Sequence, residues 1–208
     1  MLIILMGKSG AGKDTVQNEI IDRYNFNRFV STTTRPMRKG EVNGREYHFV
    51  SVEEFKKKLI DDEFIETRDY EVAGNKTWYY GSEKNEISKD KDQIIILDPN
   101  GAKKFIDVFG KKNCFVVSIE AEDKVRRERA ERRGSFDKAE WQRRLKDDTI
   151  KFADDIVDKL ADLKIYNNQD VSVTMMADYI VYRFNECKIK ENIQNNANQK
   201  TKIKVSER

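Results

Sequence analysis

A glycine-rich loop between an apolar run and a helix-like segment constrains this chain most. Residues Met1–Met6 have the pattern of a buried strand, and Gly7–Lys13 then follows the spacing G-x-x-x-x-G-K. From Lys13 to about Tyr24 the apolar residues recur at helical spacing. Such a loop turns backbone N–H groups toward a phosphate, and its lysine reaches the outer phosphates. The opening therefore predicts a strand, a phosphate-binding loop and a helix, although a plain glycine turn is the structural alternative.

The residue after the loop lysine departs from the usual pattern. Asp14 stands where serine or threonine normally offers a hydroxyl to Mg²⁺, and the hydroxyl comes only at Thr15. Asp14 either favours the positive end of the helix as a first-turn carboxylate or holds Mg²⁺ through water. Both alternatives stay open. The residues expected to contact the phosphates are Gly7, Ser9, Gly10, Ala11, Gly12, Lys13, Asp14 and Thr15.

Patterns of buried strands and of helices alternate along the rest of the chain. The runs at 92–98 and 113–119 are apolar and end in turn or charged residues, as buried strands do. A heavily charged helical stretch covers 121–160 and is interrupted at Arg133–Ser135, where we expect two helices to meet at a mobile corner. A short strand and a last helix over Val171–Tyr182 follow. This alternation predicts an α/β fold with a parallel sheet covered on both faces.

Composition and charge exclude several classes of protein. The longest apolar runs are far shorter than the roughly 20 residues of a membrane helix, and no leader or disulfide framework is recognisable, so we expect a cytoplasmic protein. The formal charge is +3 and arises in 186–208, which holds six Lys or Arg and three Glu. A neutral body gives no sign of a nucleic-acid or membrane partner. From 188 to 208 the chain is polar and low in complexity, and we expect it to be disordered.

Arginines and a tyrosine cluster between residues 31 and 51, in the segment STTTRPMRKGEVNGREYHFVS. Arg35 and Arg38 lie three apart on a loop fixed by Pro36, and Tyr47 follows on a short strand. Two guanidinium forks and a phenol suit a phosphate dianion. By composition alone, a solvated basic loop is an equal alternative.

This segment resembles the guanylate kinase signature, T-T-R-x-x-R-x-x-E-x-x-G-x-x-Y-x-F-V-S, from Thr33 to Ser51. The resemblance covers about residues 1–185 and continues in order through Glu63–Glu66, Tyr79–Ser82, Ile96–Asp98, Arg129–Gly134 and Arg143–Leu145. It implies a three-layer P-loop core, a small mixed lobe that binds the nucleoside monophosphate, and a helical lid. The implied bounds are 1–31 and 83–187 for the core, 32–82 for the lobe and 126–146 for the lid.

The implied activity is ATP-dependent phosphorylation of GMP, and of dGMP, with Mg²⁺ as cofactor. ATP and GMP or dGMP are then the small-molecule partners, and the chain is a monomer or a homodimer. In such a pocket a carboxylate accepts from the N1–H and N2–H₂ groups of guanine, while hydroxyls satisfy O6. Adenine presents the opposite pattern at these positions, so an ionised Glu66 favours guanine.

The resemblance assigns roles residue by residue. The residues implied to bind GMP are Ser31, Arg35, Arg38, Glu41, Tyr47, Glu66, Tyr80, Gly81, Ser82, Asp98 and Asn100, with Glu41 orienting the arginines. Those implied to carry the transfer are Lys13, Arg38, Asp98, Arg129, Arg133 and Arg144. Arg129 and Asn167 join the phosphate loop in binding ATP, and Asp98, with Asp14 and Thr15, is a candidate for the water shell of Mg²⁺. Arg126, Arg127 and Arg132 are expected on a solvated surface.

Two departures from the family pattern leave alternatives open. Asn100 stands where the family usually has a second acidic residue that helps to read the base, and residues 71–76 lengthen a hairpin beside the base pocket. The first alternative is a nucleoside monophosphate kinase of altered base specificity. The second is a guanylate kinase-like interaction module without catalysis. Such modules usually lose the phosphate loop, which this chain keeps.

Overall fold

The computed structural model describes residues 1–72, 76–88, 90–132, 136–168 and 171–206, with side chains up to residue 193. The strands are β1 (Leu2–Met6), β2 (Asn27–Arg28), β3 (Ser31–Thr33), β4 (Tyr47–Phe49), β5 (Phe64–Val72), β6 (Lys76–Glu83), β7 (Gln93–Ile96), β8 (Cys114–Glu120) and β9 (Leu163–Tyr166). The helices are α1 (Lys13–Tyr24), α2 (Val52–Ile60), α3 (Pro99–Phe109), α4 (Asp123–Arg132), α5 (Lys138–Lys151), α6 (Asp154–Leu160) and α7 (Val173–Ser206). The alternation confirms the predicted α/β class.

The core of the molecule is a five-stranded parallel sheet with the order β2-β7-β1-β8-β9. Side chains of the central strand β1 alternate between its faces, as strand geometry requires. Ile3 and Leu5 pack with residues of α1 and α7, whereas Ile4 and Met6 pack with residues of α3 and α6. Each such buried side chain contributes about 1.5–3 kcal/mol of stabilisation. The predicted three-layer core is thus confirmed, and the loop after β1 lies at the carboxyl ends of the strands.

A second, mixed sheet has the order β4-β3-β6-β5. It pairs β3 with β4 in parallel and β6 with both β3 and β5 in antiparallel fashion. Helix α2 covers this sheet through Phe55, whose ring stacks on Phe64 at a centroid distance of 4.6 Å. The helix begins at Val52 because Ser51 Oγ accepts a hydrogen bond from the Glu54 N–H.

Helix α3 follows β7 directly, where the sequence analysis expected only a turn. Asp98 caps it by accepting a hydrogen bond from the Gly101 N–H at 2.9 Å, and Pro99 occupies its first position. Both are strong signals for a helix start. The consequence for the site is that the Asp98 carboxylate is fixed at the carboxyl end of β7.

The charged stretch over 121–160 contains three helices, α4, α5 and α6, rather than the expected two. The chain leaves α5 at Phe152 because this ring is buried in the core under the sheet, and α6 begins with Asp154 and Asp155. The expected corner at Arg133–Ser135 lies outside the described residues.

Helix α7 runs to Ser206 in the described backbone, whereas the sequence predicted a disordered tail from 188. The segment 171–206 contains no proline, and therefore every residue in it has the N–H that a helical hydrogen bond needs. Among the described residues, the structure has no helix that is both long and apolar enough to span a membrane.

Candidate active site

The phosphate loop closes tightly on its neighbours, and two glycines make this possible. A Cβ at Gly7 would lie 2.2 Å from the Ile119 carbonyl oxygen. Gly12 has φ +95°, and a Cβ there would lie 2.4 Å from Asn167 Nδ2. Lys13 curls over the loop, and its Nζ donates to the Gly7 carbonyl at 2.7 Å. The loop therefore has the cradle shape that the sequence pattern predicts.

Helix α4 is anchored to this loop by Arg126, which the sequence analysis expected on a solvated surface. That expectation is wrong: the Arg126 side chain is only 2% exposed and donates to the Ser9 carbonyl at 2.8 Å. The reason is close packing, because Gly10 lacks a side chain and a Cβ there would lie 2.7 Å from the Arg126 carbonyl oxygen. Arg127 and Arg132 do lie on the exposed face of α4, as expected.

Asp148 of α5 completes the contact between the helices and the loop. Its Oδ2 accepts a hydrogen bond from the Ser9 N–H at 2.8 Å and lies 3.3 Å from Arg126 Nη1. The same guanidinium lies over the Trp141 ring. A buried ion pair thus joins α4, α5 and the phosphate loop, and no local pattern of residues predicts it.

A cavity of about 290 Å³ opens between the loop, the mixed sheet and α5. It brings together many residues that the sequence singled out: Gly7, Ser9, Gly10, Lys13, Asp14, Arg35, Arg38, Glu41, Tyr47, Tyr80, Asp98 and Arg144. The residues predicted for the site that do not line this cavity are Ala11, Gly12, Thr15, Ser31, Glu66, Gly81, Ser82, Asn100, Arg129 and Asn167. Arg133 lies outside the described residues.

One wall of the cavity holds the arginine and tyrosine cluster. Arg35 is buried and donates from Nη2 to Glu41 Oε1 at 2.7 Å, while the Arg38 N–H donates to Glu41 Oε2 at 2.6 Å. Burial opposes the ionisation of Glu41, yet these hydrogen bonds hold its pKa below the usual range. The Arg35 guanidinium also lies over the Tyr47 ring. Glu41 is therefore placed to orient the Arg35 guanidinium and to hold the backbone at Arg38.

The hairpin of β5 and β6 forms a ladder of cross-strand pairs, and side chains of alternate pairs from Arg68 onward line the cavity. Glu66 pairs with Ser82 in register, and Ser82 Oγ donates to Glu66 Oε1 at 2.7 Å in a buried contact. Arg68 pairs with Tyr80 on the next rung of the same face. Burial opposes the charge of Arg68, but nearby Glu66 keeps its pKa above the usual value. Sequence reasoning missed Arg68, although its spacing of two from Glu66 predicts the same strand face.

The upper rungs of the ladder are aromatic. Tyr70 pairs with Trp78, and both side chains line the cavity with Val72. Burial raises the pKa of Tyr70 to about 12. Lys151 Nζ lies 4.7 Å from the centre of the Tyr70 ring. The longer hairpin that the sequence flagged at 71–76 thus begins beside the cavity.

Helix α5 supplies a second set of arginines. Glu140 accepts hydrogen bonds from Arg143 and from Arg144 Nε at 2.8 Å. These bonds, with the one from Arg143 contributing most, lower the pKa of Glu140 to about 2. Arg143 also contacts Asp147 at 2.8 Å. Both guanidinium groups line the cavity, and only Arg144 was assigned from the sequence.

Arg129 and Asn167 meet at the back of the phosphate loop rather than in the cavity. Arg129 Nη2 donates to Asn167 Oδ1 at 3.1 Å, and Asn167 Nδ2 donates to the Ala11 carbonyl at 2.8 Å. Asp98, in contrast, lies in the cavity wall with Arg68 Nη1 at 3.9 Å and Lys151 Nζ at 3.8 Å. Asn100 is exposed in the first turn of α3, so the structure places it away from the cavity lining.

Comparison with known proteins agrees with this geometry. The sequence model of the family described as guanylate kinase matches residues 1–180. The chain belongs to the guanylate kinase family. It is similar to the guanylate kinase of Clostridium tetani, with 42% identity over 49% of each chain. It is also similar to the guanylate kinase of Carboxydothermus hydrogenoformans, with 36% identity over 65% of this chain and 66% of that one.

A solved structure, that of guanylate kinase from Anaplasma phagocytophilum, covers 92% of this chain with a TM-score of 0.65 and 25% identity, over 86% of that chain. An uncharacterized protein from Eubacterium ventriosum shares the fold, with a TM-score of 0.52 and 14% identity over 89% of this chain and 98% of that chain. Among the curated relatives named above, the chain spans about half to two thirds of their length.

Proposed function

We propose that this protein transfers the terminal phosphoryl group of ATP to GMP, and to dGMP, by in-line attack. Membership of the guanylate kinase family supports the reaction class. The single observation that carries the proposal is the cavity itself. In it, a phosphate loop with Lys13 faces a wall with Arg35 and Tyr47, so a donor triphosphate and an acceptor monophosphate have separate cationic sites.

On the donor side, Lys13 and the loop N–H groups hold the outer phosphates of ATP. Phosphoryl transfer depends on positioning and on neutralising charge more than on covalent chemistry. Lys13 Nζ donates hydrogen bonds to the Gly7 and Lys8 carbonyls. When ATP binds, phosphate oxygens replace these carbonyls as the acceptors. Asn167 and Arg129 support the loop from behind and lie on the side where the adenine is expected.

On the acceptor side, Arg35, Arg38, Tyr47 and Tyr80 bind the monophosphate of GMP. The buried Glu66 carboxylate then reads the base by accepting from its N1–H and N2–H₂ groups. Ser82 Oγ donates to Glu66 Oε1 at 2.7 Å, which supports a role for this carboxylate as a hydrogen-bond acceptor. Adenine would leave the carboxylate unsatisfied, and this penalty favours guanine.

Charge on the moving phosphoryl group is offset by Arg38 from the lobe 32–82 and by Arg144 from the lid 126–146. We include Arg129 and Arg133 in the same role on the resemblance alone. Arg144 is held by Glu140 at 2.8 Å and lines the cavity, so a small movement of α5 brings it to the phosphates. Closure of lid and lobe excludes water and protects ATP from hydrolysis.

Magnesium fits this site through Asp14. Mg²⁺ is commonly held by one or two carboxylates together with substrate phosphates and water, and Asp14 lines the cavity beside Lys13. Thr15 lies outside the cavity lining, and the Asp98 carboxylate already caps α3. When bound, the ion would neutralise charge on the β- and γ-phosphates. The residues around it orient the two nucleotides.

Altered base specificity is the second candidate within the enzyme class, and two observations favour it. Asn100 is exposed outside the cavity lining, and the lining includes Tyr70 and Trp78 of the longer hairpin. The non-catalytic interaction module is disfavoured by the intact loop with Lys13 and by the arginines of α5.

The test is ADP release from Mg-ATP with GMP, dGMP, AMP, UMP, CMP or dTMP offered one at a time. Wild type is compared with Lys13→Ala and with Lys103→Ala, a matched control on the exposed face of α3. We expect turnover with GMP and dGMP only, lost in Lys13→Ala and kept in Lys103→Ala. Turnover with another base supports the second candidate, and none with any acceptor supports the interaction module.

A further inference from the structure

The acceptor half of the cavity contains a guanidinium, that of Arg68, whose ion-pair contact is long. Arg68 lines the cavity and its side chain is 17% exposed. Its nearest carboxylate is Asp98, at 3.9 Å, beyond hydrogen-bond distance. Within the part of the chain that the structure describes, no residue accepts a hydrogen bond from this group. An arginine has five N–H donors, and those of Arg68 face the solvent of the cavity, where the acceptor atoms of a ligand can bind them.

The position of Arg68 in the ladder restricts what that ligand can be. Arg68 lies on β5 two residues beyond Glu66, so both side chains emerge on the same face of the hairpin. Along β5, the Glu66 carboxylate, which accepts hydrogen bonds, is thereby followed by the Arg68 guanidinium, which donates them. The edge of guanine has the complementary order, with N1–H and N2–H₂ as donors followed by O6 and N7 as acceptors.

We propose that Arg68 is a specificity-determining residue that donates to O6 and N7 of the guanine base of the acceptor nucleotide. This inference rests on the proposed function, and it adds a cationic residue that recognises the base beside Glu66. Arginine bound to O6 and N7 is the commonest specific contact with guanine. Adenine keeps N7 but places an amino donor at position 6, opposite the guanidinium. Arg68 and Glu66 therefore reject adenine at two adjacent positions.

A role for Arg68 in holding the phosphate is the main competitor, because Tyr80 pairs with it across the hairpin. The phosphate wall, however, already contains Arg35 and Arg38, both tied to Glu41. The two roles differ in one measurable respect. A phosphate contact is indifferent to the base, whereas a contact with N7 disappears when that nitrogen is replaced by carbon.

The experiment compares kcat/KM for GMP and 7-deaza-GMP in wild type and in Arg68→Met. A bidentate base contact contributes about 1–3 kcal/mol of discrimination, so we expect wild type to prefer GMP by about tenfold. In Arg68→Met this ratio should fall to within about twofold, and discrimination against AMP should weaken. Arg127→Met, on the exposed face of α4, is the control and should keep the wild-type ratio.

Each other outcome has a distinct meaning. If wild type does not phosphorylate GMP, the proposed function fails and Arg68 is not at issue. If wild type is active, and if wild type and Arg68→Met prefer GMP over 7-deaza-GMP to the same extent, the assignment of Arg68 is overturned. Equal activity of wild type on both nucleotides also overturns it. If Arg68→Met does not fold, Arg68→Lys replaces it, and its single donor group should still reduce the preference at least about threefold.

Discussion

The buried pair of Arg126 and Asp148 provides the sharpest prediction about stability. We consider Arg126→Met, which keeps an unbranched chain of similar length but removes the charge. The Asp148 side chain is 10% exposed and would keep the Ser9 N–H while losing the guanidinium at 3.3 Å. The Ser9 carbonyl would lose its donor at 2.8 Å. A carboxylate would then be left buried without its counter-charge.

The expected magnitude follows from this geometry. Breaking a buried ion pair by removing one partner costs about 3–5 kcal/mol, because the remaining charge is uncompensated. For a domain of this size, 1 kcal/mol corresponds to a change in Tm of about 2–4 °C, so we expect Tm to fall by roughly 6–20 °C. Most of this loss should return in Arg126→Met/Asp148→Asn, because the amide oxygen can still accept from Ser9 and carries no charge.

Urea denaturation of the four proteins of this cycle measures the coupling directly, with Trp141 as a fluorescent reporter beside Arg126. We expect a coupling free energy of at least about 2 kcal/mol between the two substitutions. If the free energy of unfolding falls by less than about 1 kcal/mol in Arg126→Met, or if it does not recover in the double variant, the reasoning is refuted. The exposed control Arg127→Met should stay within about 0.5 kcal/mol of wild type.

Three further predictions concern the loop and α5. Gly12→Ala should raise the KM for ATP at least about fivefold, because the new Cβ meets Asn167 and the residue has a left-handed φ; an unchanged KM would contradict it. Asn167→Ala should raise the KM for ATP but not that for GMP, since its hydrogen bonds go to the donor loop; equal changes in initial-rate measurements would argue against this. The pKa of Glu140 is about 2 in the folded protein, below its value in the unfolded chain. The hydrogen bonds of Glu140 with Arg143 and Arg144 therefore stabilise the fold fully above about pH 5, and this stabilisation is lost as the pH falls toward 2. Urea titrations of wild type and Glu140→Gln should therefore converge in acid, and a gap independent of pH would contradict the assignment.

Local signals in the sequence predicted much of the scaffold. Helix α1 has the predicted bounds Lys13–Tyr24, and α2 begins after Ser51, which with Glu54 three residues later has the pattern of a capping box. Strands β7 and β8 were predicted because a strand buried on both faces is apolar throughout. The start of α3 was missed, although Asp98 and Pro99 carry the signals of a cap and a first helical residue.

Other features depend on contacts between distant segments, which sequence periodicity does not report. Arg126 looks like its exposed neighbours on α4, and its burial depends on the absence of a side chain at Gly10, far away in the chain. The burial of Asp148 depends on the same contact with the loop. The alternation of side chains along a strand predicts that Arg68 shares a face with Glu66, but only the structure shows which face of β5 lines the cavity. The site was therefore predictable where motifs specify it, and not where packing between helices and loop creates it.

Product analysis measures whether phosphate is transferred between two nucleotides bound in one cavity. The wild-type protein is incubated with Mg-ATP with and without GMP, and the nucleotides are separated by anion-exchange chromatography. We expect GDP and ADP in equal amounts when GMP is present. Without GMP we expect almost no ADP, because the closed site excludes water and so prevents hydrolysis of ATP. ADP formed without GDP, or formed equally without GMP, would contradict the proposed transfer of phosphate.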